Sequence, residues 1–204
     1  MFTEYEIESL VENESLMAAT VQLKKDFIKQ EAPYLEIKDE DFFSLVLMAP
    51  TVGVALADEK VTFFEEMALN KKARKLSKGG YFLKKDPIVF AMKYLIKTYD
   101  QWEDRFLEII RMAMESTFDI KSMEKQFDPN VEFTISQYRM EILACPYIFI
   151  RFLVSFFLDG DDDEIFGPRS MSKTDFSRVE SIGAKLGLNK IPVFHYFCKT
   201  FVLK

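Results

Sequence analysis

Along most of the chain, apolar residues recur at intervals of three and four, the period of a helix that buries one face. From Thr3 to Gln30 the positions Ile7, Leu10, Val11, Met17, Val21 and Leu23 predict a first helix, with Asn13 as a candidate interruption and Ala32 and Pro33 as its end. A second helix is predicted from Asp39 or Asp41 to Ala57, with Pro50 either kinking it or opening a new segment. Thr62 and Glu65 form a T-x-x-E capping box, and the helix they open is expected to end before Gly79 and Gly80. Asp86 followed by Pro87 reads as an N-cap with proline at the first helical position, leading into Ile88, Val89, Met92, Leu95, Ile96 and Tyr99. Asp100 and Glu103 repeat the capping pattern, which predicts a separate helix carrying Trp102, Phe106, Ile109, Ile110, Ala113 and Met114 on one face.

Asp128, Pro129 and Asn130 mark a turn. A long helix is predicted after it, from Ser136 to Phe157 with a kink at Pro146, and its upper half is apolar nearly all round, as expected of the most buried element. Ser172 and Asp175 open the next helix, with Met171 and Phe176 as a hydrophobic staple and Gly187 as its close. Ile191 and Pro192 begin a last helix that packs Val193, Phe194, Phe197, Phe201 and Val202. The expected fold is therefore an all-α, single-domain helical bundle of about seven to nine helices over residues 1–204, because no Pro-, Gly- or Ser-rich linker divides the chain.

Composition narrows the functional classes. With 49% apolar and 15% aromatic residues among 204, the chain is too rich in core-forming side chains to be disordered, and seven Gly and seven Pro are too few for a turn-dense β fold. A net charge of −6 argues against a constitutive nucleic-acid binder, which needs a basic surface to neutralise phosphates. Cys145 and Cys198 lie far apart with no metal-ligand spacing, which fits a reducing, cytoplasmic setting. The acidic N-terminal stretch lacks the form of a signal peptide. The longest apolar run, Ala144 to Leu158, falls short of the ~20 residues of a transmembrane helix and carries Arg151, so the chain is not expected to cross a membrane.

Two segments share a grammar: an apolar helix ending in Asp, a loop, then a hydrophobic residue, a hydroxyl cap and an acid three positions later. They run from Ala55 to Glu65 and from Phe156 to Asp175, the second with the longer loop, and they suggest two pseudo-symmetric helical hairpins. At these residues the sequence resembles the TerB-like family of helical proteins, named for tellurite resistance, whose halves carry an A-D-G-x-hydrophobic-S/T-x-x-E pattern. Ala57, Asp58, Val61, Thr62 and Glu65 match the first copy, with Glu59 in place of the glycine. Asp159 and Gly160 match the second, Met171, Ser172 and Asp175 follow an insertion, and Leu186 to Leu188 look like that family's helix ending. The resemblance implies a core over residues 36–204 behind an N-terminal helical extension over 1–35. It also implies a stress-response setting in which acidic residues bind divalent cations or partner proteins, usually without catalysis.

The sharpest candidate chemistry is the acidic run Asp159, Asp161, Asp162, Asp163 and Glu164, since hard cations such as Ca²⁺ or Mg²⁺ want several converging carboxylate oxygens. The run begins like an EF-hand loop, but Glu164 stands where that loop needs glycine and Ser170 where a bidentate Glu closes it. Asp58, Glu65, Asp159, Asp161 and Asp163 are the candidate metal ligands, against the plain alternative of a solvated acidic loop. The basic stretch Lys71, Lys72, Arg74, Lys75, Lys78, Lys84 and Lys85 reads as a solvated helix flank, or as a surface attracting phosphate, anionic membrane or an acidic loop. His195, the only histidine, lacks a second partner for a triad or a histidine metal site and reads as structural. Met112, Met114, Met123 and Met140 are core residues or the lining of an adaptable groove. The leading expectation is a non-enzymatic module that binds a protein partner, with homo-oligomerisation also open. A metal-dependent hydrolase built on the loop carboxylates and an apolar-ligand or membrane-surface binder are the alternatives.

Overall fold

In a computed structural model, which describes residues 2–77, 86–124, 134–158 and 165–204, most helices begin where a capping side chain stands. Thr3 and Glu6 box the start of α1 (Glu4–Val11), and the Asn13 side chain accepts from Leu16 N to open α2 (Glu14–Glu31), so the first predicted helix is two. Helix α3 (Asp39–Ala55) runs through Pro50 without ending there. The Thr62 and Glu65 box opens α4 (Phe63–Leu76), and Asp86 accepts from Ile88 N and Val89 N to open α5 (Pro87–Thr117). The short α6 (Ile120–Met123) follows.

Helix α5 shifts one predicted boundary by two residues. Its range joins two helical segments across a kink at the non-helical Thr98 (φ −125, ψ 18), two residues before the helix start predicted at Asp100. Leu95, Tyr99, Trp102 and Phe106 carry one buried stripe across the kink, so both segments face the same core. The long helix predicted up to Phe157 is divided more sharply than a kink, into α7 (Ile135–Leu143) and α8 (Tyr147–Phe157), which bend by 120°. Pro146, with no N–H to donate and a restricted preceding residue, forces the break.

Ser172 opens α9 (Lys173–Lys185), and Gly187 ends it at φ +78, a left-handed backbone suited to glycine. A 3-10 turn over Leu188–Lys190 leads into α10 (Pro192–Lys199). Phe201 and Val202 do not extend that helix. They lie in β2 (Phe201–Leu203), which pairs in parallel with β1 (Arg169–Met171) in the register Arg169 to Phe201, and Val202 is exposed. The described residues thus form an all-α bundle of ten helices with one two-stranded sheet. Among them, no single helix is long and apolar enough to cross a membrane.

The centre of the bundle is α3, not α8. Every residue from Asp41 to Gly53 is buried, and α3 packs against α1, α2, α4, α5, α8 and α9, whereas α8 leaves Tyr147 more than half exposed. The N-terminal helices belong to the same core: Phe27 of α2 meets Trp102 and Phe106 of α5 edge-on, with ring centroids 5.1 and 5.5 Å away. Phe2 lies edge-on against Phe152, and its amide donates to Ser155 Oγ (3.1 Å).

The hairpins α3–α4 and α8–α9 have matching second helices. Aligning the N-caps Thr62 and Ser172 pairs Glu65 with Asp175 and the buried residues Leu69, Lys72, Ala73 and Leu76 with the buried Val179, Ile182, Gly183 and Leu186. The two helices bury the same positions. A Cβ at Gly183 would meet Phe194 at 2.2 Å, so the glycine there admits an aromatic ring from α10.

Candidate functional site

The carboxyl groups of both capping positions, Glu65 and Asp175, line one pocket of about 220 Å³ between the hairpins, together with Thr51, Lys72, Phe156 and Met171. Each is tied to a helix start. Glu65 Oε2 accepts from Thr62 N (2.7 Å) and Thr62 Oγ1 (2.6 Å), and the Asp175 amide donates to Ser172 Oγ (3.0 Å). Asp58 is exposed in the turn after α3, beside Glu59, whose φ of +63 is the left-handed conformation that favours glycine. Asp159, Asp161 and Asp163 lie outside the described residues, as do Asp162 and Glu164. Among the described residues, no group of three or more His, Cys, Asp or Glu side chains is placed to hold a metal ion. Asp58 and Glu65 therefore do not assemble a ligand set with other described residues.

Lys72 differs from its sequence reading. It does not belong to a solvated flank but is 5% exposed and points between the halves, where Nζ donates to Leu158 O (2.7 Å), Ser155 O (3.4 Å) and Thr51 Oγ1 (3.5 Å). Carbonyls of the last turn of α8 lack intrahelical donors and carry the negative end of the helix dipole, so a cation there is well placed. The arrangement has a counterpart on the other side. Arg178 of α9 donates from Nε to Gly53 O (3.1 Å) in the last turn of α3, and its guanidinium pairs with the buried Glu103 (3.1 Å) over the ring of Tyr99. The second helix of each hairpin thus sends a cation to the C-terminal turn of the other hairpin's first helix.

Several other titratable groups of the interior are tied into the fold. Glu103 also accepts from Lys185 Nζ (2.6 Å); burial opposes the charge on Lys185, but hydrogen bonds to Asp104 and Glu103 outweigh it and raise the pKa. Burial, with Glu103 nearby, raises the pKa of Tyr99, and burial likewise raises that of Tyr138, whose hydroxyl donates to Ile165 O (2.7 Å). Burial pushes the Cys198 thiol up to about 12, which keeps it protonated and unreactive at neutral pH. His195 donates from Nε2 to Asn189 O (2.8 Å), a structural bond at the 3-10 turn. The four methionines considered for a groove do not form one face: Met114 is buried and Met140 is 66% exposed.

The surface that sequence reading missed is the outward face of α4. At about 100° per residue, the buried positions Leu69, Lys72, Ala73 and Leu76 face the body, and the opposite arc holds Phe63, Phe64, Met67, Ala68, Asn70, Lys71, Arg74 and Lys75. Phe63, Phe64 and Met67 are 71, 81 and 55% exposed, and the two rings lie edge to face. No carboxylate stands on this arc: Glu65 caps the helix, and Glu66 pairs with Lys93 (3.4 Å) of α5. Met67, Asn70, Lys71, Arg74 and Lys75 line a shallow groove along it, and none of the ion pairs among the described residues uses Lys71, Arg74 or Lys75. At the matching positions α9 carries Lys173, Thr174, Ser177, Arg178, Glu180, Ser181, Ala184 and Lys185, a polar face from which Arg178 and Lys185 turn back to the buried Glu103. Aromatic residues at these positions are therefore not required by the hairpin.

Comparison of the chain with models of known protein families, with characterised proteins and with solved structures found no match in any of the three.

Proposed function

We propose that this protein is a non-enzymatic, TerB-like helical module of the cytoplasm that works by binding a partner protein through the outward face of α4. The observation that carries the reading is the exposure of Phe63, Phe64 and Met67 next to Lys71, Arg74 and Lys75 on one helix, where the matching helix α9 is polar. A contiguous exposed aromatic patch beside cations has no stabilising role in the free chain and is the composition typical of interface anchors. Two features support the TerB-like part. The one non-glycine residue with positive φ among the described residues, Glu59, stands where the resembled pattern carries glycine, and α4 and α9 bury matching positions behind matching caps. A stress-response role and a divalent cation at the acidic loop are what that kinship would add; the partner-binding reading depends on neither.

The test is photo-crosslinking in cells that make the protein, with benzoylphenylalanine in place of Phe64 or, as a control, of Thr174 in α9. Discrete protein adducts should form from position 64 and not from 174, and Met67→Ser with Lys71→Glu should abolish them. Equal adduct patterns from the two helices would reject α4 as the docking face.

A further inference from the structure

Resting on that reading, we infer that the occupant of the α4 face is an amphipathic helix of the partner, antiparallel to α4, with carboxylates in its first two turns and apolar side chains in the turns that follow. The face is divided along the helix axis, not across it. Phe63, Phe64 and Met67 occupy its N-terminal half, and Lys71, Arg74 and Lys75 its C-terminal half. From Phe63 to Lys75 the stripe is about 18 Å long, or roughly three turns, which suits one helix laid along it.

Direction follows from charge. A helix lying antiparallel brings its own N-terminus beside Lys71, Arg74 and Lys75, and carboxylates in a first turn are favourable to the partner's helix dipole as well as to those cations. A parallel helix would need its carboxylates at its C-terminal end, where the dipole disfavours them. The same division argues against a membrane. A helix lying in a bilayer interface needs an apolar face along its whole length, whereas here the apolar end is flanked in sequence by Asp58, Glu59, Glu65 and Glu66, which anionic headgroups would repel.

The experiment uses the full chain and two stapled peptides of about four turns, held equally helical, one with acids in the first two turns and leucines in the last two, the other with that order reversed. Fluorescence anisotropy at low and moderate salt reads the affinity. The acid-first peptide should bind about tenfold tighter than the reversed one, as a few exposed ion pairs together allow. Its binding should weaken with salt and be lost in Lys71→Glu/Arg74→Glu/Lys75→Glu, drop in Phe63→Ser/Phe64→Ser, and persist in the α9 control Thr174→Glu/Ser181→Glu. Equal affinity for the two peptides overturns the antiparallel, acid-headed occupant while leaving α4 as the docking face. Binding that ignores the α4 substitutions, or no binding of either peptide, overturns the inference. So does co-sedimentation with phosphatidylserine vesicles in place of peptide binding. Crosslinks from Phe64 alongside peptide failure would sink only the inference, and their absence would sink the reading beneath it.

Discussion

Replacing Lys72 with methionine removes the ammonium and keeps an unbranched stem of similar length, so the change isolates the charge. In the native chain Nζ is 2.7 Å from Leu158 O, the shortest of its hydrogen bonds to the described residues, and Leu158 is only 4% exposed. Thr51 Oγ1 still donates to Ser155 O (3.0 Å) and lies 3.2 Å from Phe156 O, so those carbonyls keep a donor and the Leu158 carbonyl loses this one. Loss of a charge-assisted hydrogen bond costs about 1.5–3 kcal/mol, and water cannot readily replace it at a buried carbonyl. Replacing both members of a buried ion pair by apolar residues is often neutral, but here only the cation goes and the acceptors at the end of α8 remain. Lys72→Met should therefore lose about 2–3 kcal/mol, which for a chain of this size lowers Tm by roughly 5–10 °C. Urea denaturation followed by circular dichroism measures the loss, with Lys71→Met as the solvent-facing control expected to stay within about 0.5 kcal/mol of the parent. If the two variants unfold at the same urea concentration, Lys72 does not bridge the hairpins.

Two further outcomes test other parts of the structure. Glu59→Gly should raise stability, because relief of about 1–2 kcal/mol of left-handed strain exceeds the 0.4–1 kcal/mol that added chain freedom costs; any net destabilisation in equilibrium unfolding contradicts the turn at φ +63. Stability should also fall in alkali. The folded pKa of Cys198 is pushed by burial from 9.0 to about 12, above its unfolded value, so its contribution is complete below about pH 9 and is lost toward pH 12, at about 1.4 kcal/mol per pH unit. Tyr99 and Tyr138, also raised by burial, add to the slope above about pH 10. Urea midpoints that stay level from about pH 8 to pH 11 would mean that these groups are solvated in the native state.

Local rules served well where a helix start depends on a few adjacent residues. The Thr62 and Glu65 box, the Asp86 and Pro87 pair and the Ser172 cap each stand at the start of a helix, because capping is decided within one turn. The break expected at Asp100 lies within two residues of the kink at Thr98, whereas periodicity misled at Phe201, where pairing with Arg169 across the fold selects a strand. The α4 face was hidden by one residue. Lys72 lies in the middle of the buried side of α4, and a lysine among Leu69, Ala73 and Leu76 makes that side look like a charged flank. With the inward face obscured, Phe63, Phe64 and Met67 could not be assigned to the outside, although they lie opposite those residues at helical spacing.

The comparison of α4 with α9 separates what the fold needs from what it leaves free. Both helices use a hydroxyl cap with an acid three positions on, bury four corresponding residues and place a cation against the end of the opposing hairpin. These shared features suffice to hold each helix in place, and α9 manages with a polar exterior. The aromatics of α4 are therefore an addition to a position that is already stable, and exposing them costs solubility without repaying it in the free chain. The same helix joins the two halves on its inner side, through Lys72, and presents the apolar and cationic stripe on its outer side. On the proposed reading, stability and partner binding are coupled through the seating of one helix: loosening Lys72 should weaken the orientation of Phe63 and Phe64 relative to the body, whereas substitutions at Phe63 and Phe64 should leave the bundle intact.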